Sequence, residues 1–181
     1  ISTNGEAIVW NEFIPDLRWD ARTFSDIKLY NINAKKEIRI TEKKRFSSAA
    51  ISPDGTRIAT LETDEAGKNS IVVLNLEGEE LFRYSDPDNA LYITPDWTSS
   101  GEMIVAVKLL DREKSVVLIN PSGPEEKLLF EVGDENIGYP KLYGNWLFYN
   151  SPYNGIDNIY LADLESKTHY RVTNAEFGAY N

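Results

Sequence analysis

The sequence contains no cysteine, only one histidine, and no apolar run of the about 18 residues that would suggest a membrane-spanning helix. Without cysteine there is no disulfide, no thiolate nucleophile and no cysteine-based zinc site, and the redox compartment stays open. The lone His169, in Thr168-His169-Tyr170, excludes a His-Glu-x-x-His zinc motif and reads as a solvent-facing residue of a rim strand. No Gly-x-Ser-x-Gly elbow and no glycine-rich phosphate loop occurs; Pro121-Ser122-Gly123-Pro124 reads as a hairpin turn. Positive charge is in the minority, with 19 Lys and Arg against 29 Asp and Glu, a net charge of −10. A nucleic-acid backbone wants a basic face, so no nucleic-acid partner is expected. No stretch sustains the apolar period of a helix, so almost no helix is expected.

What is present is a repeat. The segment Ile51-Ser52-Pro53-Asp54-Gly55 is followed by the apolar Ile58-Ala59, and the pattern returns around Gly5, Gly101 and Gly144. These turn glycines lie 50, 46 and 43 residues apart. A second landmark, an apolar strand ending in Asn or Asp, falls at Asn31, Asn75, Asn120 and Asp163, spaced 44, 45 and 43 residues. Two landmarks sharing one period of about 40–50 residues are the signature of four-stranded propeller blades. In the second repeat the expected strands are Phe46 to Ser52, Arg57 to Thr63, Ser70 to Leu76 and Glu80 to Tyr84, with a hairpin turn at Glu77-Gly78-Glu79.

The expected fold is therefore all-β, a β-propeller built of four-stranded antiparallel blades, in one segment over residues 1–181. Its repeats run approximately 1–45, 46–89, 90–136 and 137–175, with 176–181 starting or closing a blade. The chain begins and ends at nearly the same phase of the repeat, which predicts a fragment of a larger protein. Four repeats either close a small ring or belong to a larger one. An open arc would leave blade edges that invite self-association.

Ser52-Pro53-Asp54-Gly55-Thr56-Arg57-Ile58-Ala59 and Pro95-Asp96-Trp97 resemble the WD-repeat-like blades of TolB-type propellers. Asp157-Asn158-Ile159-Tyr160-Leu161-Ala162-Asp163-Leu164 is similar to the family's third strand. Arg39-Ile40-Thr41 and Arg171-Val172-Thr173 are similar to its closing "Arg-Leu-Thr" strand. The departures are Ala49 for the family proline, Ile51 for its tryptophan, and a shortened fourth turn. Such propellers occur in TolB, in the gating domains of prolyl-oligopeptidase relatives, and in exported bacterial proteins. The resemblance implies an exported protein, periplasmic or at the cell surface, and it carries over no binding residues.

The motif itself is structural: Pro53 presets the turn, Asp54 accepts nearby amides, and Gly55 takes a conformation closed to a Cβ. Function is expected where the repeats differ, in the irregular 2–3 and 4–1 loops on the face opposite these turns. The longest, Ile14 to Ser25, carries Arg18, Trp19 and Arg22. The others contribute Asp88, Asn89, Tyr92, Glu135, Asn136, Tyr139, Tyr153 and Tyr180 as candidate ligand contacts. The acidic loops Asp86-Pro87-Asp88-Asn89 and Asp134-Glu135-Asn136 lack the spacing of a calcium loop, so no metal and no cofactor is expected. The reading is a non-catalytic module that binds a protein, peptide or glycan. The alternatives are the accessory propeller of a peptidase whose catalytic domain lies outside this chain, and a propeller hydrolase or lyase using carboxylates such as Asp88 and Glu135.

Overall fold

The computed structural model describes residues 1–15, 23–133 and 135–179; the candidates Arg18, Trp19, Arg22 and Tyr180 lie outside the described residues. Those residues form sixteen strands and no helix. They build four antiparallel four-stranded sheets, the blades of an all-β propeller fold. Blade 1 holds β1 (Ser2–Thr3), β2 (Ala7–Pro15), β3 (Thr23–Asn31) and β4 (Lys36–Arg39). Blade 2 holds β5 (Phe46–Ile51), β6 (Arg57–Thr63), β7 (Asn69–Asn75) and β8 (Glu80–Tyr84). Blade 3 holds β9 (Leu91–Trp97), β10 (Ile104–Leu110), β11 (Glu113–Ile119) and β12 (Glu126–Gly133). Blade 4 holds β13 (Gly138–Tyr143), β14 (Trp146–Ser151), β15 (Asn158–Asp163) and β16 (Thr168–Arg171).

The chain divides into two compact units, Ile1–Asn89 and Ala90–Asn181. In the first, Val9, Ile27 and Leu29 of blade 1 pack against Ile58, Val72 and Leu74 of blade 2. In the second, Val105, Val107 and Val116 of blade 3 pack against Leu142, Leu147 and Ala162 of blade 4. The middle strands are apolar on alternate positions or throughout because both faces of a blade can be covered.

The Ser-Pro-Asp-Gly turn works as its residues dictate. Ser52 Oγ and the Thr56 amide donate to Asp54 Oδ1 at 2.5 and 3.0 Å, and Gly55, at φ 73°, closes the turn with its N–H on Ser52 O. The Ser52 hydroxyl, and after it the Thr56 amide, hold the Asp54 carboxyl down to about 2. A carboxylate depressed in the folded state contributes stability that is complete above its ordinary value of 3.8 and is lost as pH falls through about 2. Thermal melts followed by circular dichroism are thus expected to fall in midpoint over that window. Asp54→Asn should lose less midpoint across it than the parent; an unchanged slope would count against the turn as an acid-sensitive element.

Two features depart from the sequence expectation. The two ends of the Ile14 to Ser25 stretch are strand: Phe13, Ile14 and Pro15 pair with Ser25, Phe24 and Thr23, while 16–22 lie outside the described residues. The apolar Phe13, Ile14 and Phe24 carry the ladder past the point where polar residues and proline suggested a loop. Secondly, the first strands of blades 2, 3 and 4 each hold a bulge, with Ser48, Thr94 and Tyr139 at φ 54, 47 and 52°. Left-handed backbone is unusual for a β-branched threonine. Here the Tyr139 amide donates to Thr94 Oγ1 at 3.1 Å, keying the bulge of blade 4 to that of blade 3.

Candidate functional site

The loop residues singled out in the sequence fall into different surroundings. Asn89, at φ 59°, is a loop tie: its Oδ1 accepts the Asn69 amide at 2.8 Å and its Nδ2 donates to Gly67 O at 3.0 Å. Asp88 sits in the same turn, its amide donating to Asp86 Oδ1 at 2.8 Å. Tyr92 is buried on β9 and donates its hydroxyl to Glu126 at 2.5 Å. Lys114 Nζ donates to Glu135 O and to Asn136 Oδ1, at 3.2 and 2.6 Å. Tyr139 presents an exposed ring beside its bulge.

Glu135 and Tyr153 are brought together. They lie on the 4–1 loop before blade 4 and the 2–3 loop within it, and both line a cleft of about 490 Å³. The cleft is walled by Phe130 and Val132 of β12 on one side and by Tyr149, Ser151, Tyr160 and His169 of blade 4 on the other. Glu131 and Ile137 complete its lining. The face follows from register: Tyr149 pairs with Tyr160 across β14 and β15, and Ala162 with His169 across β15 and β16, so alternate residues of three strands point the same way.

Aromatic rings dominate the wall. Tyr149 and Tyr160 stack with centroids 5.8 Å apart, and the His169 ring packs on Phe130 at 4.9 Å. His169 is exposed, as expected for a rim strand, yet its Nδ1 shares a hydrogen bond of 2.9 Å with the Tyr149 hydroxyl. Burial first, then the Glu135 and Tyr160 charges, push the Tyr149 hydroxyl up to about 12. Three buried side-chain atoms have no hydrogen-bond partner among the described residues: Asn150 Oδ1, and, in the lining, Ser151 Oγ and Tyr160 Oη, in residues only 2% and 9% exposed. A buried hydroxyl without a partner costs about 1–3 kcal/mol, a cost that a water or a ligand group bonded to it would relieve.

The cleft exists because blade 4 breaks the repeat. Seven residues after the turn glycine, blades 1, 2 and 3 place Glu12, Glu62 and Lys108. Each is ion-paired within its own blade: Glu12 with Lys28, Glu62 with Arg83 and Lys108 with Glu126, all at 2.7 Å. Blade 4 puts Ser151 there, removing a long paired side chain. Five residues after the glycine, blades 2 and 3 pair Thr60 with Val72 and Ala106 with Val117, where blade 4 pairs its two tyrosines. Sequence reasoning missed Tyr149, Ser151 and Tyr160 because they lie on strands; the signal was their difference from the other repeats. No group of three or more His, Asp or Glu able to hold a metal ion occurs among the described residues.

The sequence matches no protein-family model and no curated protein. Solved structures do resemble it. A TolB from Agrobacterium tumefaciens matches at 16% identity and TM-score 0.67, over 94% of this chain and 64% of that one. TolB from Acinetobacter baumannii matches at 13% identity and TM-score 0.70, over 95% and 42%. The β-propeller domain of the Trilobed protease from Pyrococcus furiosus matches at 16% identity and TM-score 0.61, over 96% and 55%. The chain thus spans between 42% and 64% of the length of these structures. At such identities the likeness establishes the fold: the structural neighbours are TolB and the propeller domains of peptidases.

Proposed function

We propose that this chain is a non-catalytic binding module of an exported bacterial protein, periplasmic or at the cell surface, and that it takes a peptide segment in the cleft between blades 3 and 4. The observation that carries this is the pair of buried, unpartnered hydroxyls of Ser151 and Tyr160 inside an aromatic recess of about 490 Å³. Aromatic walls with a few polar anchors are how proteins hold a single inserted side chain. The same residues make a poor reaction centre. The Ser151 hydroxyl touches no base, His169 Nδ1 is occupied by Tyr149, and Tyr149 titrates far above neutrality. Asn136 and Tyr139 flank Ile137 of the lining and are proposed as contacts at the mouth of the cleft.

The test is titration with an equimolar pool of short, blocked, alanine-based peptides that differ at one central residue, read by tyrosine fluorescence. A saturable change is expected, and Ser151→Leu, which fills the recess, should abolish it while melting near the parent temperature. A flat titration, or one that Ser151→Leu leaves intact, rejects the cleft as the binding site. A second reading, the accessory propeller of a peptidase, is favoured by the likeness to the Trilobed protease propeller. A flanking Gly-x-Ser-x-Gly or His-Glu-x-x-His domain in the reading frame would establish it.

A further inference from the structure

The cleft is electrically one-sided. Glu131 and Glu135 line it, and among the described residues no lysine or arginine does. The Glu135 charge is felt at the Tyr149 hydroxyl, inside the recess. Lys114 Nζ, which donates to Glu135 O and Asn136 Oδ1, is not part of the lining. The ring faces of Phe130, Tyr149, Tyr153 and Tyr160 add the negative quadrupole surface that attracts cations. The two unpartnered hydroxyl oxygens can each accept a hydrogen bond, and ammonium and guanidinium groups are donors only.

The first unit shows what the corresponding recess holds when the chain fills it itself. Glu62, the counterpart of Ser151, and Glu80 clamp the Arg83 guanidinium at 2.7 and 2.6 Å. Arg83 stands opposite Val72 in the ladder, and the residue at that register in blade 4 is Arg171, opposite Tyr160. Arg171 is exposed and does not line the cleft. The cleft therefore has the carboxylates of Glu131 and Glu135 and the two hydroxyls around a space that no lysine or arginine among the described residues lines.

We infer that the cleft between blades 3 and 4 receives a cationic side chain, an arginine guanidinium or lysine ammonium, presented by a peptide. The guanidinium or ammonium lies among the tyrosine rings and faces Glu135, and it donates to Ser151 Oγ and Tyr160 Oη, which are closed to solvent in this structure, once the lining side chains shift to admit it; the alkyl stem lies along Phe130 and Val132. This rests on the binding reading above, and the experiment separates the two. Isothermal titration uses Ac-Ala-Ala-Xaa-Ala-Ala-NH2 with Xaa as Arg, Lys, norleucine or Glu, and agmatine as a free guanidinium. The Arg and Lys peptides should bind about 10-fold tighter than norleucine, a difference of about 1.4 kcal/mol. Added salt and Glu135→Gln should both shrink that ratio severalfold. Equal or tighter binding of the norleucine or Glu peptide, lost in Ser151→Leu, overturns the cationic ligand while leaving the binding reading in place. Binding by none of the peptides overturns both. Agmatine binding more tightly than the Arg peptide overturns the peptide as the source.

Discussion

Asp26→Ala is expected to destabilise the protein by about 3 kcal/mol, read as a fall of roughly 10 °C in melting midpoint. Asp26 is fully buried on β3, and its carboxylate organises the chain that leaves blade 1 for blade 2. Arg39 Nη2 and the Lys43 amide donate to Oδ2 at 2.6 and 3.0 Å; the Lys44 amide and Thr41 Oγ1 donate to Oδ1 at 2.9 and 3.3 Å. Thr41 Oγ1 in turn accepts the Ile27 amide at 2.8 Å. Alanine removes the acceptor for all four donors and leaves the two amides unsatisfied in a part-buried turn. Burial alone would raise the Asp26 carboxyl; the Lys44 amide, Arg39 and the Lys43 amide outweigh it and set the carboxyl below its ordinary 3.8. Its contribution is therefore complete above that value and is lost under more acid conditions.

Blade 4 contains the control for this argument. Asn158 occupies the equivalent place: its Oδ1 accepts Thr173 Oγ1 and the Ala175 amide, both at 2.9 Å, and Thr173 Oγ1 accepts the Ile159 amide at 2.9 Å. An amide can thus hold the turn, but it offers one acceptor oxygen where blade 1 uses two. Asp26→Asn should lose less stability than Asp26→Ala, because its oxygen can still accept the Lys44 amide and Thr41 Oγ1 although its NH2 group faces the donors Arg39 and Lys43, and it should flatten the acid dependence because an amide does not titrate there. Equal losses in the two variants, measured by urea unfolding, would show that one amide oxygen does not hold this turn, and a parent-like Asp26→Asn would show that the charge and second oxygen are immaterial. The Arg-x-Thr motif read in the sequence is thereby a structural lock, with threonine as the relay between strands.

How much of this was legible follows from where the information sits. In blade 2 the expected Arg57 to Thr63 and Glu80 to Tyr84 are the strands found, because glycine turns and alternation mark both ends. The bulges at Ser48, Thr94 and Tyr139 left no such mark: they arise from pairing, and no side-chain type announces them. Glu135 and Tyr153 were legible as contacts because irregular loops stand out against a regular repeat. Tyr149, Tyr160 and Ser151 were not, because a tyrosine or serine on a strand reads as packing. Only alignment of the blades on their glycines shows that Ser151 has replaced a charged residue. The cleft is thus a missing ion pair, and a composition-based reading has no way to notice what a neighbouring repeat has that this one lacks.

Gly78→Ala is expected to be at least as damaging as Asp26→Ala, at about 4 kcal/mol, although glycine has no side chain to lose. Gly78 closes the turn after β7 at φ 82°, its amide on Asn75 O at 3.2 Å, while Asn75 Oδ1 accepts the Glu77 and Glu79 amides. A left-handed φ alone costs an alanine about 1–2 kcal/mol. At Gly78 the added Cβ would also run into the carbonyl oxygen of Ile40, a backbone atom that cannot rotate aside. Ile40 is buried, and its amide is fixed to Ile27 O at 2.9 Å, so the blade 1 strand must move as a whole. Gly144 supplies the comparison: its φ is 60° and a Cβ there meets nothing, so Gly144→Ala should cost only the conformational part. Similar losses for the two glycines in denaturant unfolding would show that blade 2 does not rest on Ile40. Because Ile40 precedes Thr41, which holds Asp26, the two lesions act on one joint. The double variant Asp26→Ala with Gly78→Ala should therefore lose less than the sum of the single losses.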